Sequence, residues 1–331
     1  MSIVKGVFRV LVVVFVILVV AVIGVWVGLR QPNTGAIAMP VSSRSDPDAL
    51  RRHVTALSTE LAPRSFRNRE NLLKIADYIK REFEAAGADV RCREYFAESG
   101  GSGETEQTNV VARFGGSSGP LVVVGAHYDT FGELPGADDN ASGVAGLLEL
   151  GRLLGAHEPQ GPVELVAYST EEPPFFGSEQ MGSALHALDL AEGNTQVTAM
   201  ICLEMIGYFV PRQPAEIPAL KLVYPHHGFF AAVVGRWADR GLARVVKKCF
   251  RGASDLPVVS YSGPTSIGAD LSDHRNYWQH GYPAVMITDT AFMRNPNYHT
   301  GGDTADTLDY VRMAQVVDGV FNSVLHLSDK K

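Results

Sequence analysis

Two histidines and several carboxylates stand directly behind short apolar runs in this sequence. LVVVGA is followed by His127, Tyr128 and Asp129, and GADDNASG carries Asp138 and Asp139 eleven residues further on. VELVAYST precedes Glu171 and Glu172, TAMICL precedes Glu204, and AVMITDT is followed, after a loop, by His299 in YHTGGDT. Imidazole mixed with carboxylate is the donor set that zinc accepts with positions left open for water and substrate. His127, Asp138, Glu172, Glu204 and His299 supply the count for a pair of metals, one His and one carboxylate each plus a shared carboxylate. In Glu171-Glu172 adjacent side chains point apart, so one can bind metal while the other faces a reacting group and moves a proton. Asp129, two residues beyond His127, is placed to fix its tautomer.

The elements that must position these residues alternate between strand and helix. LVVVGAH (121–127), VELVAYS (163–169), TAMICLEM (198–205) and AVMITD (284–289) are continuous apolar runs, as expected of strands buried on both faces. DVRCREYF (89–96), TNVVARF (108–114) and LKLVY (220–224) read as further strands, with a flexible loop ESGGSGETEQ between the first two. Helical spacing marks 46–86, 140–155, 178–190, 227–241 and 308–327; Leu72, Ile75, Tyr78 and Phe83 share one face. The pattern predicts one α/β domain, a mixed and mainly parallel sheet sandwiched between helices. Such sheets gather their sites beyond the carboxyl ends of the strands.

HYDT, PGADDNASG, STEEPPFFGSEQMGS, LEMIGY and YHTGGDTADTLDY, in order from about residue 107 to 311, resemble the co-catalytic dizinc aminopeptidase family. That family includes bacterial leucyl-type aminopeptidases, and its relatives include glutaminyl cyclase, a glutamate carboxypeptidase and the transferrin receptor. The resemblance implies a single zinc-exopeptidase domain holding two Zn²⁺ per chain. His127, Asp138, Glu172, Glu204 and His299 are then the ligands. Asp138 bridges, an unusual cis peptide joins Asp138 to Asp139, and Glu204 stands where many members have Asp. It further implies Glu171 as general base toward a bridging water, and hydrolysis of N-terminal residues from peptides with a free N-terminus. Asp129 and Asp139 then support the ligands, and Phe175, Phe176, Asp273 and His274 are candidates to line the substrate pocket. A glutaminyl cyclase-like acyltransferase and a non-catalytic receptor-like ectodomain are the alternatives. An acidic-residue carboxypeptidase would need a basic pocket, for which Arg275 and Arg294 are the nearby candidates.

The chain has 331 residues and a formal charge of −7. Residues 10–29 contain 18 apolar residues in 20 and no charge, enough helix to span about 30 Å of hydrocarbon. The run is too long for a secretory signal, which favours an uncleaved anchor over cleavage near Ala36-Ile37-Ala38. Lys5 and Arg9 before it place the N-terminus in the cytoplasm and the domain on the extracytoplasmic side, periplasmic or extracellular. The expected organisation is a cytoplasmic N-terminus (1–9), an anchor (10–29), a linker (30–47) and a catalytic domain (48–331). Outside the first 30 residues the charge is −10, which argues against a nucleic-acid partner. Cys92, Cys202 and Cys249 fit no zinc motif, and Cys202 reads as a buried thiol.

Overall fold

A computed structural model describes residues 2–32, 35–98, 103–213 and 223–329. Eight strands form one sheet in the order β1-β2-β4-β3-β5-β8-β6-β7. The central four, β4 (Val163–Tyr168), β3 (Leu121–His127), β5 (Val197–Glu204) and β8 (Ala284–Thr288), run parallel. On one side, β2 (Glu104–Phe114) pairs antiparallel with both β4 and β1 (Asp89–Glu98). On the other, β6 (Ala231–Arg236) is antiparallel to β8 and parallel to β7 (Val258–Gly263).

Strand alternation sends Val122 and Val124 of β3 into one core and Leu121 and Val123 into another. The first core is covered by α2 (Pro47–Thr55), α3 (Arg69–Ala85), α4 (Gly143–Ala156), α6 (Arg240–Ala253) and α8 (Tyr310–Ser328). The second lies under α5 (Gly182–Glu192) and α7 (His274–Gln279). Burial on both faces is why these strands read as unbroken apolar runs. From β4 the chain passes through α5 and returns to the far side of β3, so the connections reverse direction there. The carboxyl ends of β3 and β5 therefore lie side by side at a topological switch point. Residue 127 ends one of these strands and residue 204 the other.

Several elements differ from the expectations. Residues 231–236, expected inside a helix, form β6, because the AAVVGR run has β-branched residues and packs on β8 and β7. The helix begins later, as α6, from the amphipathic RGLARVVKKCFRGA. Of the expected strand 220–224, residues 220–222 lie outside the described residues, and Val223 and Tyr224 form part of a turn. The helical stretch 46–86 is split around Pro63 into α2 with its trailing turn and α3.

The predicted linker is not a free spacer where it is described. Ile37 donates its N–H to Lys248 O at 2.9 Å, and Asn322 Nδ2 donates to Ile37 O at 2.7 Å. Ser45 donates through N–H and Oγ to Asp318 Oδ1, at 2.8 and 2.9 Å. Before it runs α1 (Ser2–Arg30), within which Lys5–Arg30 is long and apolar enough to cross a membrane.

Beneath the second core, Glu164 of β4 meets His186 Nε2 at 3.2 Å, and Arg91 Nη2 and Arg113 Nη1 at 3.1 Å. Burial favours its neutral acid, but His186, Arg91 and Arg113 outweigh burial and bring the carboxyl down to about 2. A depressed folded value means that the ionised carboxylate stabilises the fold above its ordinary value of 4.5, and that this contribution is lost as pH falls through about 2. Glu164→Gln is expected to remove about 1–3 kcal/mol at neutral pH, discounted because Arg91 is exposed. It should also flatten the loss of stability with acid in that window. Urea titrations that give the two proteins the same acid limb would contradict this assignment.

Candidate metal centre

Five strand ends and turns converge. His127 is the last residue of β3 and Glu204 the last of β5. Asp139 lies in the tight turn Ala137–Ser142 that leads into α4, Glu171 and Glu172 follow β4, and His299 lies in the loop after β8. The Asp139 carboxylate stands between the two imidazoles. Oδ1 is 3.5 Å from His127 Nε2 and Oδ2 is 3.2 Å from His299 Nε2. Glu204 Oε2 completes one group, 3.4 Å from His127 Nε2, and Glu172 Oε1 the other, 3.3 Å from His299 Nε2. Each trio, His127–Asp139–Glu204 and Asp139–Glu172–His299, has its donor atoms within 4.8 Å of one another and is able to hold a cation.

The carboxylate that stands between the two imidazoles is that of Asp139, one residue beyond the expected Asp138. Asp138 faces away, accepting from Gly207 N at 3.0 Å through Oδ1 and from Asn295 Nδ2 at 2.9 Å through Oδ2. Consecutive side chains in an extended turn point in opposite directions, so only one of the pair can enter the site. The cis peptide also lies one bond later than expected, between Asp139 and Asn140. The Asn140 side chain fastens this turn to the end of β5, donating to Leu203 O at 2.9 Å and accepting from Met205 N at 3.0 Å.

Three further groups hold the cluster. Asp129 accepts from Glu171 N at 3.1 Å and Glu172 N at 3.0 Å, one on each oxygen, while its Oδ1 lies 3.4 Å from His127 Nδ1. One carboxylate thus lies against His127 and fixes the backbone of both glutamates. Asp303 accepts from Asp138 N at 2.9 Å and Asp139 N at 3.0 Å, a role that its place in a turn before α8 does not reveal. Arg64, fully buried, donates to the carbonyls of Leu57, Tyr128, Pro135 and Gly136. The Phe131 ring stacks on His299 with centroids 4.2 Å apart. Left-handed φ at Thr170, Met205 and His299 places backbone strain at or beside site residues.

The charges are heavily coupled. Burial alone would raise Asp139, but His127 and His299 hold its carboxyl below the usual range. Burial would lower His127 and His299; Glu171 and Glu204 lift the first well above its ordinary value, and Asp139 and Glu172 lift the second to about 9. Burial, then Asp139, raises Glu172 to about 7. Glu171 belongs to neither trio, lies 3.8 Å from His127 Nε2, and is raised well above its usual value, first by burial and then by Glu204 and Glu172. His127 Nε2, Glu172 Oε1 and His299 Nε2 are buried without a hydrogen-bond partner.

An apolar cavity of about 150 Å³ adjoins this cluster, lined by Glu204, Phe230, Val259, Tyr261, Met286 and Phe292 among others. Phe175, Phe176, Asp273 and His274 are not in its lining. Phe175 is core, edge-on to Phe66 at 5.1 Å, and Phe176 lies under the Arg275 guanidinium at 4.9 Å. Asp273 and His274 are fully buried at the start of α7, where burial pushes Asp273 up to about 7 and His274 down to about 4. Arg294 is buried too, bound to Gln213 Oε1 and Phe230 O. Neither it nor Arg275 lines the cavity, as an acidic-residue carboxypeptidase would need.

The model of Peptidase family M28 matches residues 109–324, a span that contains every residue of both trios. The chain belongs to that family. YfbL of Escherichia coli K12 is 48% identical over 296 residues, covering 86% of this chain and 89% of YfbL. Leucine aminopeptidase 1 of Ajellomyces dermatitidis is 32% identical over 223 residues, covering 63% of this chain and 53% of that protein. The chain thus spans about half the length of that relative. Among solved structures, LapB from Legionella pneumophila shares the fold with a TM-score of 0.68 at 24% identity, covering 86% of this chain and 73% of LapB. Solved glutaminyl cyclases share it as well, at 18–21% identity. Membership in M28 and aminopeptidase relatives make the chain a peptidase, a hydrolase of peptide bonds. The M28 family is zinc-dependent.

Asp303→Ala leaves two buried N–H groups without an acceptor. It is expected to destabilise the fold by about 2–6 kcal/mol, from roughly 1–3 kcal/mol per orphaned donor. Denaturant unfolding of metal-free protein reads this directly, and a change below the measurement error would remove Asp303 from the account.

Proposed function

We infer that the chain is an extracytoplasmic, membrane-anchored aminopeptidase that holds two zinc ions and releases apolar N-terminal residues. The observation that carries this reading is the buried Asp139 carboxylate between two imidazoles whose Nε2 atoms, like Glu172 Oε1, have no partner. Unpaired buried donors and acceptors are costly, and cations satisfy them all at once. His127, Glu204 and Asp139 would hold one zinc, and Asp139, Glu172 and His299 the other, with Asp139 shared in the place first expected for Asp138.

Bound zinc supplies Lewis acidity that polarises a carbonyl and acidifies water. The remaining work belongs to the chain. Glu171 is buried beside the trios without being a member of either; bound cations would offset the burial and the neighbouring carboxylates that favour its neutral acid, leaving its carboxylate to take a proton from the attacking water and return it to the leaving amine. Asp129 keeps Glu171 and Glu172 in register by binding both backbone N–H groups. The apolar cavity beside Glu204 accepts the side chain of the departing residue and excludes water from it. Its volume is of the order of cavities that bind benzene.

Hydrolysis of aminoacyl-anilides, with blocked-amine controls and before and after chelation, tests the reading. Glu171→Gln is expected to lose about 10²–10⁴-fold in kcat while keeping its zinc. Asp139→Ala should lose metal content, whereas Asp138→Ala should retain most of it. Equal cleavage of blocked substrates would refute an aminopeptidase. Release of ammonia from a Gln-initiated peptide, without a free amino acid, would replace hydrolysis by cyclisation.

A further inference from the structure

Tyr224, which lines the apolar cavity, faces Arg30 at the end of the anchor helix. Gln31, directly after α1, is only 1% exposed. Its Oε1 accepts from Ser260 Oγ at 2.8 Å and Ser262 Oγ at 3.3 Å, both on β7, and its amide donates to Leu29 O at 3.0 Å and to Gly28 O. Lys247 Nζ donates to Arg30 O at 2.9 Å and Gln31 O at 3.0 Å, and Arg30 O also stands 2.7 Å from Ser260 Oγ, whose one proton goes either to it or to Gln31 Oε1. These polar groups are buried and satisfied, which makes a fixed joint rather than a swivel. At Gly28 the helix lies so close to the Trp237 indole that a Cβ would collide with it.

The joint also sets a level. Arg30, the first charge after the apolar run, marks where the helix leaves the hydrocarbon. Its guanidinium lies 5.7 Å from the Trp26 ring centre and 5.9 Å from that of Tyr224. Tyr224 and Tyr261 line the cavity. One aromatic ring therefore separates the anchor's final turn from the cavity. Leu271 and Phe292, also in the lining, are 42% and 45% exposed, and Trp237 at the anchor's base is 48% exposed with Arg240 5.9 Å over its ring. Exposed aromatic, aliphatic and Arg side chains beside a membrane helix are the composition of an interfacial belt.

We propose that the buried joint at Gln31 seats the domain against the bilayer surface, with the apolar cavity at headgroup level, so that its substrates are peptides whose apolar N-terminal segment partitions into that interface. The seat rests on the joint together with the membrane anchor proposed above; the substrate class rests on the aminopeptidase reading as well. Substrate and enzyme confined to one surface meet at a raised effective concentration, and the cavity receives the N-terminal side chain without a detour through bulk water.

The test uses the full chain in phosphatidylcholine–phosphatidylglycerol proteoliposomes. It compares a soluble leucyl-anilide with an amphipathic, membrane-partitioning peptide that begins with leucine. A second protein carries a flexible Gly-Ser segment inserted between Arg30 and Gln31, freeing the domain from the anchor's level. The intact chain is expected to favour the partitioning peptide by at least roughly tenfold in kcat/KM. The insertion should reduce that advantage while leaving anilide hydrolysis unchanged. Quenching of tryptophan emission by brominated lipids gives a readout independent of activity. In a Trp26→Phe background, quenching should fall on adding Trp237→Phe and on adding the insertion. An advantage that survives the insertion, no advantage in the intact chain, or Trp237 beyond reach of the quencher would each overturn the proposal. Absence of anilide hydrolysis in the zinc-loaded intact chain would defeat the aminopeptidase reading instead, while the quenching still decides the seat.

Discussion

Much of the architecture answers to a single electrostatic constraint. Asp139, Glu171, Glu172 and Glu204 are buried together with only two imidazoles among them. Like charges at this spacing out of water do not remain ionised without compensation. Accordingly, Glu171, Glu172 and Glu204 are pushed toward their neutral acids while both histidines are pushed toward their cations. Protons and cations would compete for the same donor atoms. Cations that replace those protons relieve the repulsion and give the unpaired donor atoms their partners.

That constraint explains how much of the chain is devoted to holding backbone. Asp303 and Asp129 bind pairs of N–H groups on either side of the cluster, Asn140 ties its turn to β5, and Arg64 gathers four carbonyls. Gly136, with φ +56°, stands where a Cβ would strike the Asp139 carbonyl and the Thr130 methyl. Repulsion among the carboxylates would otherwise be relieved by moving them apart. Left-handed residues at and beside the site are tolerated because these clamps over-determine the loops.

The strand-end residues were legible because a strand buried on both faces announces itself as an apolar run, and its carboxyl end is where this class of sheet gathers a site. His127, Glu172, Glu204 and His299 follow from that rule. The choice between Asp138 and Asp139 does not, because spacing locates a turn but not which of two neighbours turns inward; Gly207 N and Asn295, far along the chain, decide it. Arg64 and Asp303 were invisible for the same reason, since their partners are main-chain groups of distant segments. Phe175, a candidate for the substrate pocket by sequence, packs on Phe66 and Tyr95 as core. The region 227–241 reads as one helix by sequence because only the short turn Trp237–Asp239 separates β6 from α6.

The central claim is that one carboxylate, Asp139, joins two cation sites. X-ray diffraction from zinc-loaded crystals, recorded on both sides of the zinc absorption edge, tests it most directly. Two anomalous peaks are expected to flank the Asp139 carboxylate, one beside His127 and Glu204 and the other beside Glu172 and His299. A single peak, or a pair bridged by Asp138 with Asp139 turned away, would contradict it.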